Sequence, residues 1–118
     1  LRSTLESRVV TKDTICAAVC VYLLIGMTWS LFYGLLVAFQ PDAFHVIGAP
    51  AGRETPDWTD LLYYSFVTLL TVGYGDITPA TRHARSLSII EALIGILYIA
   101  VLISRLVSLY RAPSTNER

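Results

Sequence analysis

The run Thr71-Val72-Gly73-Tyr74-Gly75, with Asp76 behind it, carries little side-chain chemistry and much backbone chemistry. Five successive carbonyls aimed at one axis would offer a dehydrated cation a ladder of oxygens in place of its water shell. Consecutive carbonyls of an ordinary strand point to opposite sides, so such a ladder needs residues at positive φ. Gly73 and Gly75 take those angles without steric penalty, and the Thr71 hydroxyl can add a lowest rung. The bland reading of a short Gly pattern is a turn between helices. Six residues in this order, between two long apolar segments and straight after an aromatic-rich stretch, argue against it.

A carbonyl ladder at membrane depth needs a scaffold, and the flanking segments read as one. From about residue 14 to residue 39 the chain is apolar and free of charge, long enough to span a bilayer as an outer helix. Gly26, Ser30 and Gly34 recur every fourth residue there, with Ala18 and Ala38 extending the row. Small residues at this spacing let another helix approach closely, and contact with the second membrane helix is expected. Residues 40–57 form a loop, because Pro41, Pro50, Pro56, Gly48 and Gly52 rule out a continuous helix. The stretch of about 58–70 is apolar and aromatic but too short to span, so it reads as a re-entrant pore helix. Irregular backbone at residues 71–76 is tolerated in a membrane only where it lines a water-filled path. The C-terminal end of the re-entrant helix would turn its partial negative charge toward a cation there. A second span, an inner helix of about 84–110, comes after the polar patch around Arg82 and Arg85.

The composition agrees with a single all-α membrane domain over 14–110: 54% of the chain is hydrophobic, 15% is charged, and the formal net charge is zero. That balance gives no reason to propose a nucleic-acid partner. Residues 1–13 read as an amphipathic segment at the membrane surface, with Leu1, Leu5 and Val9 at helical intervals, or as a frayed end. Residues 111–118 form a polar tail. Arg2, Arg8, Lys12, Arg105, Arg111 and Arg118 outnumber Arg53, Arg82 and Arg85 on the opposite side. This bias predicts a multi-pass protein of the cell membrane with both termini cytoplasmic and the 40–57 loop extracellular. Cys16 and Cys20 lie on one helix face with no histidine near, which suits apolar packing better than a metal site. No nucleophile–base set, metal constellation or phosphate loop points to an enzyme or a cofactor, and His45 and His83 both fall in predicted outer loops. The chain opens on Leu1 and reads as an excised piece of a longer protein, leaving room for sensor or regulatory domains in the intact chain.

The run Tyr63-Tyr64-Ser65-Phe66-Val67-Thr68 leading into Thr71-Val72-Gly73-Tyr74-Gly75-Asp76 resembles the pore module of the tetrameric potassium-channel superfamily, especially its prokaryotic two-helix members. The resemblance covers nearly the whole length. It implies four subunits around one four-fold axis, membrane lipid around them, and K⁺ as the permeant ion with no cofactor. By resemblance, the carbonyls of Thr71, Val72, Gly73, Tyr74 and Gly75 would coordinate K⁺ in single file. Tyr74 would point away into an aromatic cuff including Tyr63, Tyr64 or their neighbours, and Asp76 would brace the outer mouth by a bond to the pore helix. Many relatives carry tryptophans where this chain has Tyr63 and Tyr64, and often a threonine where it has Leu70. Some bacterial relatives carry a buried glutamate where it has Val67, so a carboxylate pair between that filter-supporting position and Asp76 is impossible here.

Three features of the inner helix bear on gating and filter support. Gly95 falls mid-way along it, either as a bending point or as a site of close packing on the pore helix. Ile96, Ile99, Ile103 and Val107 form a stripe that could line the cavity and close its cytoplasmic end by dewetting, or serve as a helix–helix seam. Glu91 is the one carboxylate within a span. At about 100° per residue it lies well over 90° from the isoleucine stripe, which predicts a place behind the filter, bonded to a hydroxyl such as Ser65 or Thr68. A ring of four cavity carboxylates is the alternative. The leading function is passive K⁺-selective conduction; the alternatives are a weakly selective cation channel or a non-conducting membrane subunit.

Overall fold

A computed structural model describes residues 12–110; the surface segment expected over residues 1–13 lies almost wholly outside them, and the tail 111–118 entirely so. Two long helices, α1 (Lys12–Phe39) and α3 (Arg82–Tyr110), flank a short helix α2 (Trp58–Leu69). With 28 residues at about 1.5 Å each, α1 exceeds the ~30 Å hydrocarbon core of a bilayer. Both long helices are apolar enough to cross one.

Local chemistry sets the helix ends. Asp57 caps α2 through a reciprocal pair: its side chain accepts from the Asp60 amide at 3.0 Å, while Asp60 accepts from the Asp57 amide at 3.1 Å. Thr81 caps α3 by accepting from the Ala84 amide at 3.3 Å, so this helix starts at Arg82, two residues before the sequence-based start.

The 40–57 segment is not a simple loop. Pro41–Ala43 form a 3₁₀ turn, and Phe44–Val46 (β1) pairs antiparallel with Ile77–Pro79 (β2), Phe44 opposite Pro79 and Val46 opposite Ile77. This small ladder is an addition to the helical fold that the sequence reading did not include. Three residues a side are too few to carry a clear alternation in sequence, and the partners lie more than thirty residues apart. The ladder extends at both ends, with the Ile47 amide donating to the Asp76 carbonyl at 2.9 Å and the Ala80 amide to the Ala43 carbonyl at 2.8 Å. It ties the loop before α2 to the chain that leaves residues 71–76.

The core sits beneath that ladder. Tyr33 packs edge-on against Phe44 and Tyr64, ring centroids 5.3 and 5.2 Å apart, with Leu61, Ile77, Ala43 and Ala84 around them. Such edge-to-face pairs add about 0.5–1.5 kcal/mol each beyond area burial.

The small-residue row of α1 meets two partners: the Ala18 carbonyl accepts from the Tyr98 hydroxyl of α3 at 2.6 Å, as the spacing suggested, while its glycines meet α2. Gly26 lies against Phe66 and Gly34 near Leu61, both on the re-entrant helix rather than the second span. A Cβ added at Gly26 would stand 2.6 Å from the Phe66 ring. The missing side chain is therefore what lets α2 approach α1.

Candidate ion-conduction site

The end of α2 shapes the run beyond it. Leu70 is the C-cap, the Thr71 amide donates to the Thr68 carbonyl at 3.0 Å, and the Val72 amide donates to the Val67 carbonyl at 2.9 Å. These two bonds form a Schellman closure, whose left-handed position is usually glycine. Here Thr71 occupies it at φ 56°. A β-branched residue in that region is an outlier of a kind that costs about 1–3 kcal/mol. Sequence reasoning anticipated positive φ at Gly73 and Gly75, which have φ 60° and 81°, but not at Thr71. A Cβ at either glycine would meet nothing within 4 Å, so backbone angle rather than crowding selects glycine there.

The consequence is an asymmetric backbone. The amides of Thr71, Val72 and Gly73 are all turned back onto the end of α2, the last at 3.4 Å from the Val67 carbonyl. Among the described residues no hydrogen bond ends on the carbonyls of Thr71, Val72, Gly73, Tyr74 or Gly75. Residues 71–76 are all exposed. Five acceptors stand in sequence without protein donors, as oxygen ligands for a cation would. Val67, whose side chain cannot ionise, supports this run through its carbonyl.

The flanking residues divide between two sides. Asp76 accepts from the Ile77 amide at 3.0 Å through Oδ1, and the Tyr63 hydroxyl lies on the side of Asp76. Tyr64 turns the other way: its hydroxyl meets Ser88 of α3 at 2.6 Å and its ring joins the Tyr33–Phe44 cluster. Of the two phenols named for the cuff, Tyr63 or Tyr64, it is Tyr63 that lies on the side of Asp76. Successive helix residues sit about 100° apart, so both could not face one neighbour.

Gly95 is buried against the end of α2. A Cβ there would collide with the Leu69 carbonyl oxygen and come within 3.1 Å of the Leu69 side chain. Of its two readings, the structure displays close packing on the pore helix. The same Leu69 carbonyl accepts from the Tyr22 hydroxyl at 3.0 Å, which satisfies one of the acceptors left over at a helix C-terminus. Ile96, Ile99, Ile103 and Val107 are exposed along α3.

Glu91 is completely buried on the face of α3 that meets α1 and α2, not among the isoleucines. Its Oε1 lies 2.5 Å from Ser65 Oγ, and its Oε2 accepts from the Tyr33 hydroxyl. Tyr22 and Tyr33 escaped the sequence reading. Their signal was a phenol inside an apolar span, which needs a partner there; eleven residues apart, about three turns, they share a face.

Comparisons with known proteins place the chain in a family. A family model described as "Ion channel" matches residues 9–112. The chain belongs to the ion-channel family. With two helices able to cross a bilayer, this ion-channel chain is a membrane protein. It is similar to two-pore potassium channel 4 of Arabidopsis thaliana, 34% identical over 83% of this chain and 31% of the relative. It is also similar to two pore potassium channel c of Oryza sativa subsp. japonica, 42% identical over 74% of this chain and 17% of the relative. The protein LctB of Geobacillus stearothermophilus is 38% identical over 64% of this chain and 59% of its own length. The chain thus spans about a third or less of the two plant channels. Among solved structures, it resembles a voltage-gated K⁺ channel pore module in a closed state in lipid membranes. The TM-score is 0.56 at 25% identity, over 86% of this chain and 94% of that one.

Proposed function

We propose that this chain is the pore-forming part of a K⁺-selective channel, a homotetramer in the cell membrane that conducts K⁺ passively. The row of donor-free carbonyls from Thr71 to Gly75 carries the reading. K⁺ binds that ladder in single file, four copies of it enclosing one axis. A single copy, exposed over residues 71–76, offers one wall of such a path, and this exposure supports assembly around it. Similarity to proteins named as potassium channels favours K⁺ as the ion.

The remaining roles derive from position. Asp76, Tyr63 and Val67 hold the filter, the first two at its outer mouth and the third from behind. Tyr64 and Glu91 hold the pore helix against its neighbours. Ile96, Ile99, Ile103 and Val107, exposed in one chain, line the cavity and form an apolar constriction near the cytoplasmic end. Gly95 sets how closely the inner helix approaches the pore helix. Both termini lie in the cytoplasm, as the arginine distribution favours, which puts the β1–β2 ladder outside.

Reversal potentials in planar bilayers test the selectivity. With K⁺ on one side and Na⁺ on the other, the potential should move far toward the K⁺ equilibrium value. A reversal near zero would replace this reading with a weakly selective cation pore, and no current at all with a non-conducting subunit.

A further inference from the structure

Three polar contacts run in a line through the interior behind the filter. The Tyr33 hydroxyl meets Glu91 Oε2, Glu91 Oε1 meets Ser65 Oγ at 2.5 Å, and Ser65 Oγ meets the Gly26 carbonyl oxygen at 2.7 Å. Each contact needs one proton, because two oxygens at such distances repel without one between them. The hydroxyls supply only two, one from Tyr33 and one from Ser65. At the Gly26 end the carbonyl can only accept, so Ser65 must donate there. The contact between Ser65 and Glu91 then lacks a proton unless the carboxyl provides it.

From this geometry we infer that Glu91 is held as an un-ionised carboxylic acid, whose proton completes the chain Tyr33 to Glu91 to Ser65 to Gly26 and clamps the pore helix between the outer and inner helices. The carboxyl O–H donates to Ser65 Oγ, Ser65 donates to the Gly26 carbonyl, and Tyr33 donates to Oε2. Every oxygen in the chain is then satisfied with no net charge. The surroundings agree. Glu91, Ser65 and Tyr33 are all fully buried. The titratable groups facing Glu91 are phenols, Tyr22 and Tyr33 on α1 and Tyr64 on α2. Ion pairs among the described residues involve Arg53 and its two aspartates, so no cation neutralises a carboxylate at this position. An unpaired buried carboxylate would cost far more than a neutral acid with both oxygens bonded.

The neighbouring contacts obey the same proton count without a carboxyl. Ser88 gives its proton to the Ala84 carbonyl at 2.8 Å, so Tyr64 donates to Ser88. That line is complete with two hydroxyl protons for two contacts. Glu91 stands where the second line is one proton short.

Glu91 acts on conduction as a positioning residue, through Ser65, whose helix ends at the filter. That consequence rests on the channel reading; the proton itself does not. Infrared spectroscopy of the purified chain in lipid tests the proton directly. At neutral pH a carbonyl-stretch band of a protonated carboxylic acid should be present. It should move on ¹³C labelling of glutamate and vanish in Glu91→Gln. Ser65→Ala, which keeps the acid but removes its acceptor, should shift the band without abolishing it. Absence of the band, or a band unchanged in both variants, overturns the assignment whether or not the chain conducts. The positioning role is tested by how long K⁺ flux persists. Glu91→Gln, whose amide can turn an N–H to Ser65 and its oxygen to Tyr33, should keep the lifetime within about twofold, whereas Glu91→Leu and Ser65→Ala should shorten it roughly tenfold or more. Equal shortening by Gln and Leu would overturn that role while leaving the infrared result to stand or fall alone.

Discussion

The pore helix and the irregular segment that leaves it differ in almost every physical respect, although three hydrogen bonds join them. The helix is wedged between α1 and α3, with Leu61, Tyr64, Ser65 and Leu69 buried and its hydroxyls bonded to partners on both flanking helices. The irregular segment 71–76 is exposed throughout, holds three residues at positive φ and, among the described residues, leaves five carbonyls without donors. One region is finished within a single chain; the other leaves its backbone acceptors open. Stability is concentrated where contacts are internal, and the proposed function lies where they are missing. Changes in the two regions should therefore have different signatures.

The largest effect is expected at Gly73. Alanine there must adopt φ near 60°, a left-handed strain of about 1–2 kcal/mol, and would escape by turning its carbonyl. K⁺ flux into liposomes should fall by more than about tenfold, while recovery of the folded assembly stays near wild type. Intact flux, or loss of folded protein, would erase the distinction between the two regions.

Glycines on the scaffold side should show the opposite pattern, graded by what their added methyl meets. Gly95→Ala drives a Cβ into the Leu69 carbonyl, a backbone atom that cannot swing aside. It should destabilise by about 1–3 kcal/mol despite the helix-propensity gain. Gly26→Ala meets the edge of the Phe66 ring, which can rotate, so its loss should be smaller. Gly34→Ala finds its nearest neighbour at 3.9 Å and should be neutral or gain up to about 1 kcal/mol. Thermal unfolding in detergent should rank the three in that order. A reversed order would show that contacts between subunits, not those within the chain, control these sites.

The smallest effect belongs to the capped start of the pore helix. The Asp57 carboxyl is held below its usual range, first by the Asp60 backbone N–H, with Thr59 and Arg53 adding to it. Because the folded value is depressed, the stabilisation is complete above the ordinary carboxylate range and is lost as pH falls through the lowered value. Acidification should reduce amide protection at the start of α2 in the wild type, and Asp57→Ala should show that reduction already at neutral pH. Hydrogen exchange followed by mass spectrometry would check it, and protection equal in both proteins at neutral pH would break the capping account. The exposed Arg53 pairs should add little.

By itself the sequence determined the two long helices, the short helix between them and the positive φ at Gly73 and Gly75. Long apolar segments with few charges have few fates but to span, and a short aromatic stretch between two of them reads as re-entrant. Local rules of this kind need no knowledge of distant residues. Tertiary structure alone decided who meets whom. It put Gly26 and Gly34 against the pore helix and left Ala18 to the second span, because Phe66 and Leu61 fill the space that the two glycines leave. It paired Phe44–Val46 with Ile77–Pro79, and it sent Tyr63 and Tyr64 to opposite sides. A helical wheel could turn Glu91 away from the isoleucine stripe. Only the packing of three helices could bring one carboxyl to Tyr33, 58 positions before it, and to Ser65, 26 before it. A side chain's partners across a helix interface depend on the depth and rotation of both helices, and neither is written in the residues of one.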